Sequence, residues 1–382
     1  MKNDYSAQAM LAELVRFDTT SRDGNIPLIE FVENYLDSWD VPHFRVDYEA
    51  GKKTNLFATI GPDIAGGIVL SGHTDVVPVD GQAWASNPFE LSERGGRLYG
   101  RGTCDMKGFV ACVLGMVPDF KARTLKTPLH VVLSYDEEVG CVGVRRLIAD
   151  LPARGIAPAG CIVGEPTGMR LVVAHKGKKS WRCRVRGHEA HSSLTPRGVN
   201  AVQIACEIVA HIAAMARRFR DGSRRDEAYD VPYTTLHVGT IRGGTALNIV
   251  PRDCEFVFEV RHLPFDDPDA LFAEIRDYAQ TFVPAMRAVA TDAHIAFDAL
   301  STMPGFDTQD GSAIADLGHE LCCADAATFS IAVCPPLMVP HVIVTATPIR
   351  SASVVPVAPF MAVASTTSSS CRSAPPRRRT RY

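Results

Sequence analysis

Gly67-Ile68-Val69-Leu70-Ser71-Gly72-His73-Thr74-Asp75 is the stretch that decides the fold. A short apolar run ends on an imidazole and a carboxylate. The pattern recurs twice. The run Leu129–Ser134 is followed by Asp136-Glu137-Glu138, and the run Gly160–Gly164 by Glu165. All three runs are apolar on both faces, and helical segments such as Gly108–Phe120 separate them. That is the signature of a buried, largely parallel sheet in an α/β domain. In open sheets of this kind ligands bind beyond the carboxyl ends of the strands. The sequence therefore predicts three strands delivering acidic and imidazole groups to one edge.

Outward from this centre, amphipathic helices are predicted at Ala7–Phe17 and Ile26–Ser38, with a further strand at Thr54–Ile60. From about Lys178 the texture changes. Trp181–Val185 alternates like a half-buried strand, Ala201–Phe219 is helical, and Thr234–Ile241 and Cys254–Arg261 alternate again before a helical Phe272–Thr281. This β-α-β-β-α order predicts a small two-layer α/β domain inserted in the larger one. The expected organisation is a first catalytic part over 1–177, an insert over 178–293, a return over 294–325 and an atypical basic tail over 326–382.

With 382 residues, 46% of them hydrophobic and 22% charged, the chain has ordinary globular composition and room for two domains. A net charge of −3 gives no footprint for nucleic acid. The Arg-rich end, Pro375-Pro376-Arg377-Arg378-Arg379-Thr380-Arg381-Tyr382, has no basic face or interleaved aromatics to accompany it. No run of about 18 apolar residues points to a membrane span, and the amino-terminal residues lack the apolar core of a secretory signal. The 11 scattered cysteines form no Cys-X-X-Cys pair. A cytoplasmic protein with free thiols is expected.

Several carboxylates converging on one edge repel one another, and a cation between them is the natural remedy. Imidazole with carboxylates suits zinc or a similar divalent ion better than calcium, which takes oxygen alone. Each residue also has a plainer reading. His73 could be a satisfied core histidine, Asp105 a helix N-cap, Glu137 and Glu138 an exposed acidic turn, and Glu165 a cap before Pro166. Asp75 stands two residues after His73, where a carboxylate could hold the second imidazole nitrogen.

Together the stretches SGHTDVVPVDGQAWASNPF, YGRGTCDMKG, SYDEEVGCVGVRRL, CIVGEPTGMRLVVAHKG and RGHEAHSSLTPRGVNAV resemble the M20 family of di-zinc amidohydrolases, over residues 7 to about 325. The likeness is strongest to the branch that hydrolyses N-acetylornithine. It implies a zinc-peptidase-like catalytic domain, with a mixed and largely parallel sheet, and a ferredoxin-like insert that acts as lid and dimerisation domain. It implies two zinc sites, with cobalt as an alternative metal, a homodimer and a small N-acyl amino acid as substrate. His73, Asp105 and Glu165 would hold the first metal, and Asp105 and Glu138 the second. Asp75 would orient His73, and Glu137 would be the general base. His191 would stabilise the oxyanion in the partner subunit's site, while Asn248 and Arg261 would contact substrate. An arginine on a strand suits bidentate recognition of a carboxylate.

The implied activity is hydrolysis of N2-acetyl-L-ornithine to L-ornithine and acetate, a step of arginine biosynthesis. Rival readings are a succinyl-diaminopimelate desuccinylase, an aminoacylase, a carboxypeptidase, or a metal-binding relative impaired in catalysis. The impaired reading has a concrete basis. The family's last metal ligand is a histidine near the carboxyl end, and neither His319 nor His341 sits in a matching context. No acidic residue follows Asp325, so residues 1–325 carry −9 and residues 326–382 carry +6. A disordered basic tail and a shifted reading frame both explain that break. The second metal site is expected to be weakened or empty.

Overall fold

The computed structural model describes residues 4–48, 51–167, 171–222, 224–308, 312–323, 330–334 and 341–345. The chain divides into two compact units, the second running from His175 to Phe306 and the first made of the chain before and after it.

The first unit is built on a seven-stranded sheet. Its spatial order is His43–Tyr48, Lys53–Ile60, Leu129–Ser134, Ile68–His73, Gly160–Val163, His341–Thr345 and Ser330–Cys334. The middle four strands run parallel and the outer pairings are antiparallel. This is the mixed, largely parallel sheet that the apolar runs predict. The strand Lys53–Ile60 is buried along nearly its whole length, as a covered sheet requires.

Helix Ala7–Arg16 is capped by Ser6, whose hydroxyl accepts the Ala9 amide hydrogen. Its buried side chains Met10, Leu11, Leu14 and Val15 join Leu28, Ile29 and Val32 of helix Ile26–Ser38 in one core. The predicted helix Gly108–Phe120 is two helices, Lys107–Gly115 and Val117–Lys121. Pro118 in the first turn of the second has no amide hydrogen to continue the first.

Within the second unit, a four-stranded antiparallel sheet has the order Thr235–Gly243, Asp253–His262, Gly177–Arg186, His294–Met303. Helices Ala201–Asp221 and Pro268–Gln280 contribute Ile208, Ile212, Leu271 and Ile275 to the core with Trp181, Phe256 and Phe258 of the sheet. The chain order β-α-β-β-α-β with that strand order is the ferredoxin-like arrangement. Side chains of Asp253–His262 alternate in burial, so one sheet face is covered and the other is not.

The unit extends beyond the expected boundary at 293. Strand His294–Met303 pairs with Gly177–Arg186 and so belongs to the insert rather than to the returning chain. Of the expected basic tail, Ser330–Cys334 and His341–Thr345 are strands of the first unit's sheet. The remainder of 326–382 lies outside the described residues.

Candidate functional site

Parallel pairing sets the site. His73 is level with Ser134, and Ser71 with Val163, so the residues after each strand leave the sheet side by side. His73, the last residue of its strand, is buried. Its Nε2 lies 3.0 Å from Asp105 Oδ1, 3.6 Å from Glu165 Oε1 and 3.8 Å from Glu137 Oε2. Its Nδ1 donates to the backbone carbonyl of Asp75 at 2.9 Å. A neutral ring that spends its Nδ1 proton in this way keeps the Nε2 lone pair facing the carboxylates, where it could coordinate a metal.

The Asp75 carboxylate stands 3.5 Å from the same Nδ1. Its hydrogen bonds go elsewhere. It accepts from Ser21 Oγ at 2.8 Å, from the Glu137 amide at 3.1 Å and from the Glu138 amide at 3.2 Å. Asp75 is therefore a brace between His73 and the acidic turn, where the sequence pointed only to an orienting partner for the imidazole. The turn is pinned from a third side by Lys53, whose Nζ donates to Asp136 Oδ1 and to the Ser21 carbonyl, both at 2.7 Å. Asp136 itself takes the left-handed conformation, with φ 53°.

Asp105 is not a helix cap. The helix starts at Lys107, its N-cap is Met106, and no side chain caps it. The Asp105 side chain faces His73 instead. Glu165 likewise has its side chain toward His73, and only its backbone carbonyl serves the local turn, accepting from Thr167.

The donors form two overlapping sets, His73 with Glu137 and Glu165, and His73 with Asp105 and Glu138, each gathered within 4.8 Å. Their electrostatics are those of crowded, partly buried carboxylates around one imidazole. Burial, with Asp105 and Glu137 nearby, raises the Glu138 carboxyl to about 7. Burial, reinforced by Glu137, Asp105 and Glu138 against the opposing pull of His73, raises Glu165 to about 8. Burial opposes charge on His73, but hydrogen bonds to Asp105 and Asp75 outweigh it and hold the imidazole well above its usual range. The Asp75 carboxyl is held below its usual range, because His73, Ser21 and the Glu137 amide outweigh its burial.

A divalent cation fits this donor set, since it would replace the proton on His73 and relieve the repulsion among the carboxylates. Among the described residues only one imidazole serves both sets. The side chains of His319 and His341, the two candidates for a further ligand, lie outside the described residues.

In the second unit, His191 and Asn248 come together and Arg261 does not. Ala190–His191 pairs with Ile249–Val250, and the Ser192 amide donates to the Asn248 carbonyl at 2.9 Å. His191 Nδ1 accepts the Ser193 amide hydrogen at 3.2 Å, which places the neutral ring's proton on Nε2. Its imidazole is exposed and ready to donate. Arg261 lies eight residues along its strand from Asp253, about 27 Å by strand rise. Its Nε donates to Glu259 at 3.0 Å.

Sequence reasoning passed over four residues around the first unit's cluster: Ser21, Lys53, Arg101 and Cys141. Cys141 donates its thiol hydrogen to Glu137 Oε1 at 3.1 Å. Arg101 was the most accessible to a reader, standing between two glycines just before Asp105.

Residues 173–287 match the M20 peptidase dimerisation domain. The acetylornithine deacetylase of Shigella sonnei is 41% identical over 212 residues, which cover 56% of this chain and 54% of that enzyme. The chain thus spans little more than half of that relative. The acetylornithine deacetylase of Myxococcus xanthus is 38% identical over 301 residues, covering 75% of this chain and 76% of that enzyme. Among solved structures, the aminopeptidase PepT of Bacillus cereus superposes with a TM-score of 0.69 at 20% identity over 90% of each chain. No helix among the described residues is long and apolar enough to cross a membrane.

Proposed function

This chain belongs to the M20 family, and we propose that it is a metal-dependent amidohydrolase that cleaves the acetyl amide of N2-acetyl-L-ornithine to L-ornithine and acetate. The observation that carries the reading is the gathering of His73, Asp105, Glu137, Glu138 and Glu165 at the carboxyl edge of parallel strands. Two acetylornithine deacetylases as the relatives described above support the choice of substrate.

His73, Asp105, Glu138 and Glu165 would hold the metal, with zinc matching one nitrogen and several oxygens, and cobalt an alternative. The ion would supply Lewis acidity and lower the pKa of water from 15.7 to about 7. Glu137 then takes the proton from the attacking water and returns it to the leaving nitrogen. The Cys141 thiol on Oε1 leaves Oε2 as the oxygen facing His73 and the reacting centre. Asp75 keeps His73 and the 137–138 turn in fixed relation. His191, with its proton on Nε2, is suited to donate to the tetrahedral oxyanion. In a homodimer it would serve the partner subunit's site. Asn248 and Arg261 would contact substrate.

The test is ornithine release from N2-acetyl-L-ornithine by the purified chain with zinc or cobalt, beside Glu137→Gln. The expected result is turnover that the substitution lowers by a factor of 10²–10⁴ with bound metal unchanged. Loss of metal in that variant would make Glu137 a ligand. Turnover of an N-succinyl substrate in preference to the acetyl one would move the chain to another branch of the family.

A further inference from the structure

We propose that Arg101 is a specificity-determining residue that binds a carboxylate of the substrate from within the catalytic unit; this rests on the reading of the site as that of an N-acyl amino acid hydrolase. Arg101 lines a small cleft together with Val77, Gly102, Thr103, Asp105 and Glu138. The cleft thus opens directly onto the proposed metal-binding groups.

The guanidinium in it is held but not satisfied. One terminal nitrogen donates to Gln82 Oε1 at 2.8 Å and to the Pro78 carbonyl at 3.3 Å. Gln82 Oε1 also accepts from Trp84 Nε1 at 3.1 Å, and the Trp84 ring lies under the guanidinium, 5.1 Å from centroid to carbon. The Nε of Arg101 is buried and has no hydrogen-bond partner. Arg101 makes no ion pair with a carboxylate among the described residues.

An arginine has five donors and no acceptor, and a charge-assisted hydrogen bond to a carboxylate is its strongest match. Here Trp84 lies under the guanidinium, Gln82 and Pro78 take the hydrogens of one terminal nitrogen and Nε is buried, which leaves Nη1 as the donor for a ligand. Simple neutralisation of Asp105 and Glu138 would be served better by a direct ion pair, and none forms. A substrate reacting at the metal-binding cluster and carrying a carboxylate a few bonds away would satisfy that terminal nitrogen. That carboxylate could be the α-carboxylate of the amino acid or the distal carboxylate of a succinyl group, and the two sources are separable.

The experiment uses the zinc-loaded chain, Arg101→Met and Arg101→Lys, each checked for zinc content and thermal midpoint. Hydrolysis is followed with N2-acetyl-L-ornithine, its α-carboxamide and N-succinyl-L-ornithine carboxamide. Binding of the same three compounds is measured by calorimetry in a Glu137→Gln background. Arg101→Met is expected to raise KM and the dissociation constant for N2-acetyl-L-ornithine tenfold or more, with kcat within threefold and the α-carboxamide unaffected. Arg101→Lys should restore only part, because an ammonium cannot be held at once by Trp84, Gln82 and Pro78 while it donates to a ligand. A selective loss on the succinyl carboxamide instead assigns the contact to the acyl carboxylate. Equal losses on all three compounds, loss of zinc in both variants, or no binding of any carboxylate compound by the Glu137→Gln chain would overturn the inference. If the unsubstituted chain hydrolyses none of them, the functional reading falls, and the calorimetric comparison alone decides the role of Arg101.

Discussion

Replacing Asp75 by Asn tests whether the acidic turn is held by that one carboxylate. The change preserves shape, so its cost can be worked from the contacts. Oδ2 accepts from the Glu138 amide and Ser21 Oγ, whereas Oδ1 accepts from the Glu137 amide and faces His73 Nδ1 at 3.5 Å. The Asn amide nitrogen will take the Oδ1 side, where only one accepted bond is lost. That bond goes to a charged acceptor and is worth about 1.5–3 kcal/mol, and the Glu137 amide is then a part-buried donor facing a second donor. A total near 3 kcal/mol follows for opening of the turn. At about 1.4 kcal/mol per factor of ten, hydrogen exchange at the Glu137 and Glu138 amides should speed up by about a hundredfold. Amide exchange is the right assay because it reads this turn rather than the unfolding of a two-unit chain. Exchange within threefold of the unsubstituted chain would refute the reasoning and leave Lys53 as the main restraint.

A Cβ at Gly164 would lie 2.0 Å from Cγ of Phe109, so Gly164→Ala should cost about 1–3 kcal/mol, read as a lower thermal midpoint with reduced zinc affinity through displaced Glu165. In the metal-free chain, Glu165 at about 8 and Glu138 at about 7 bind protons more tightly folded than unfolded. Raised carboxyls oppose folding once deprotonated, and the raised His73 loses its contribution as pH climbs through its folded value. Thermal stability without metal should therefore fall between about pH 5 and pH 8, and saturating zinc should flatten the slope; a rise over that window would contradict this. Zinc titration of the chain should show one tight equivalent, because one imidazole serves both donor sets among the described residues; two equally tight equivalents would show that a further ligand is supplied from elsewhere in the chain.

Much of the site was legible because His73, Glu137, Glu138 and Glu165 come directly after apolar runs. Once the strands are parallel, His73, Glu137 and Glu165 have to meet. What the chain order could not show is lateral position. Strand Leu129–Ser134 inserts between Lys53–Ile60 and Ile68–His73, and only that placement puts Glu137 and Glu138 over Asp75. Ser21 and Lys53 reach the site across 54 and 83 residues of chain, to Asp75 and Asp136, distances that no local pattern spans. The strand His294–Met303 escaped because its side chains are mostly half-buried or exposed, which blurs the alternation that betrays Asp253–His262. The family resemblance implied His191, Asn248 and Arg261 together and could not separate them, since strand length alone sets that distance.

The pairing of Gly160–Val163 with His341–Thr345 bears on how the chain is made. The later strand leaves the ribosome about 180 residues after the earlier one. At about 5–20 residues per second, the edge of Gly160–Val163 waits on the order of 10–35 s for its neighbour while the whole inserted unit is synthesised. An open strand edge is a template for other chains. The molecule's yield in the cell is thus tied to translation speed and to whatever shields that edge in the meantime, so faster elongation through residues 175–340 should raise the soluble fraction without altering the finished fold.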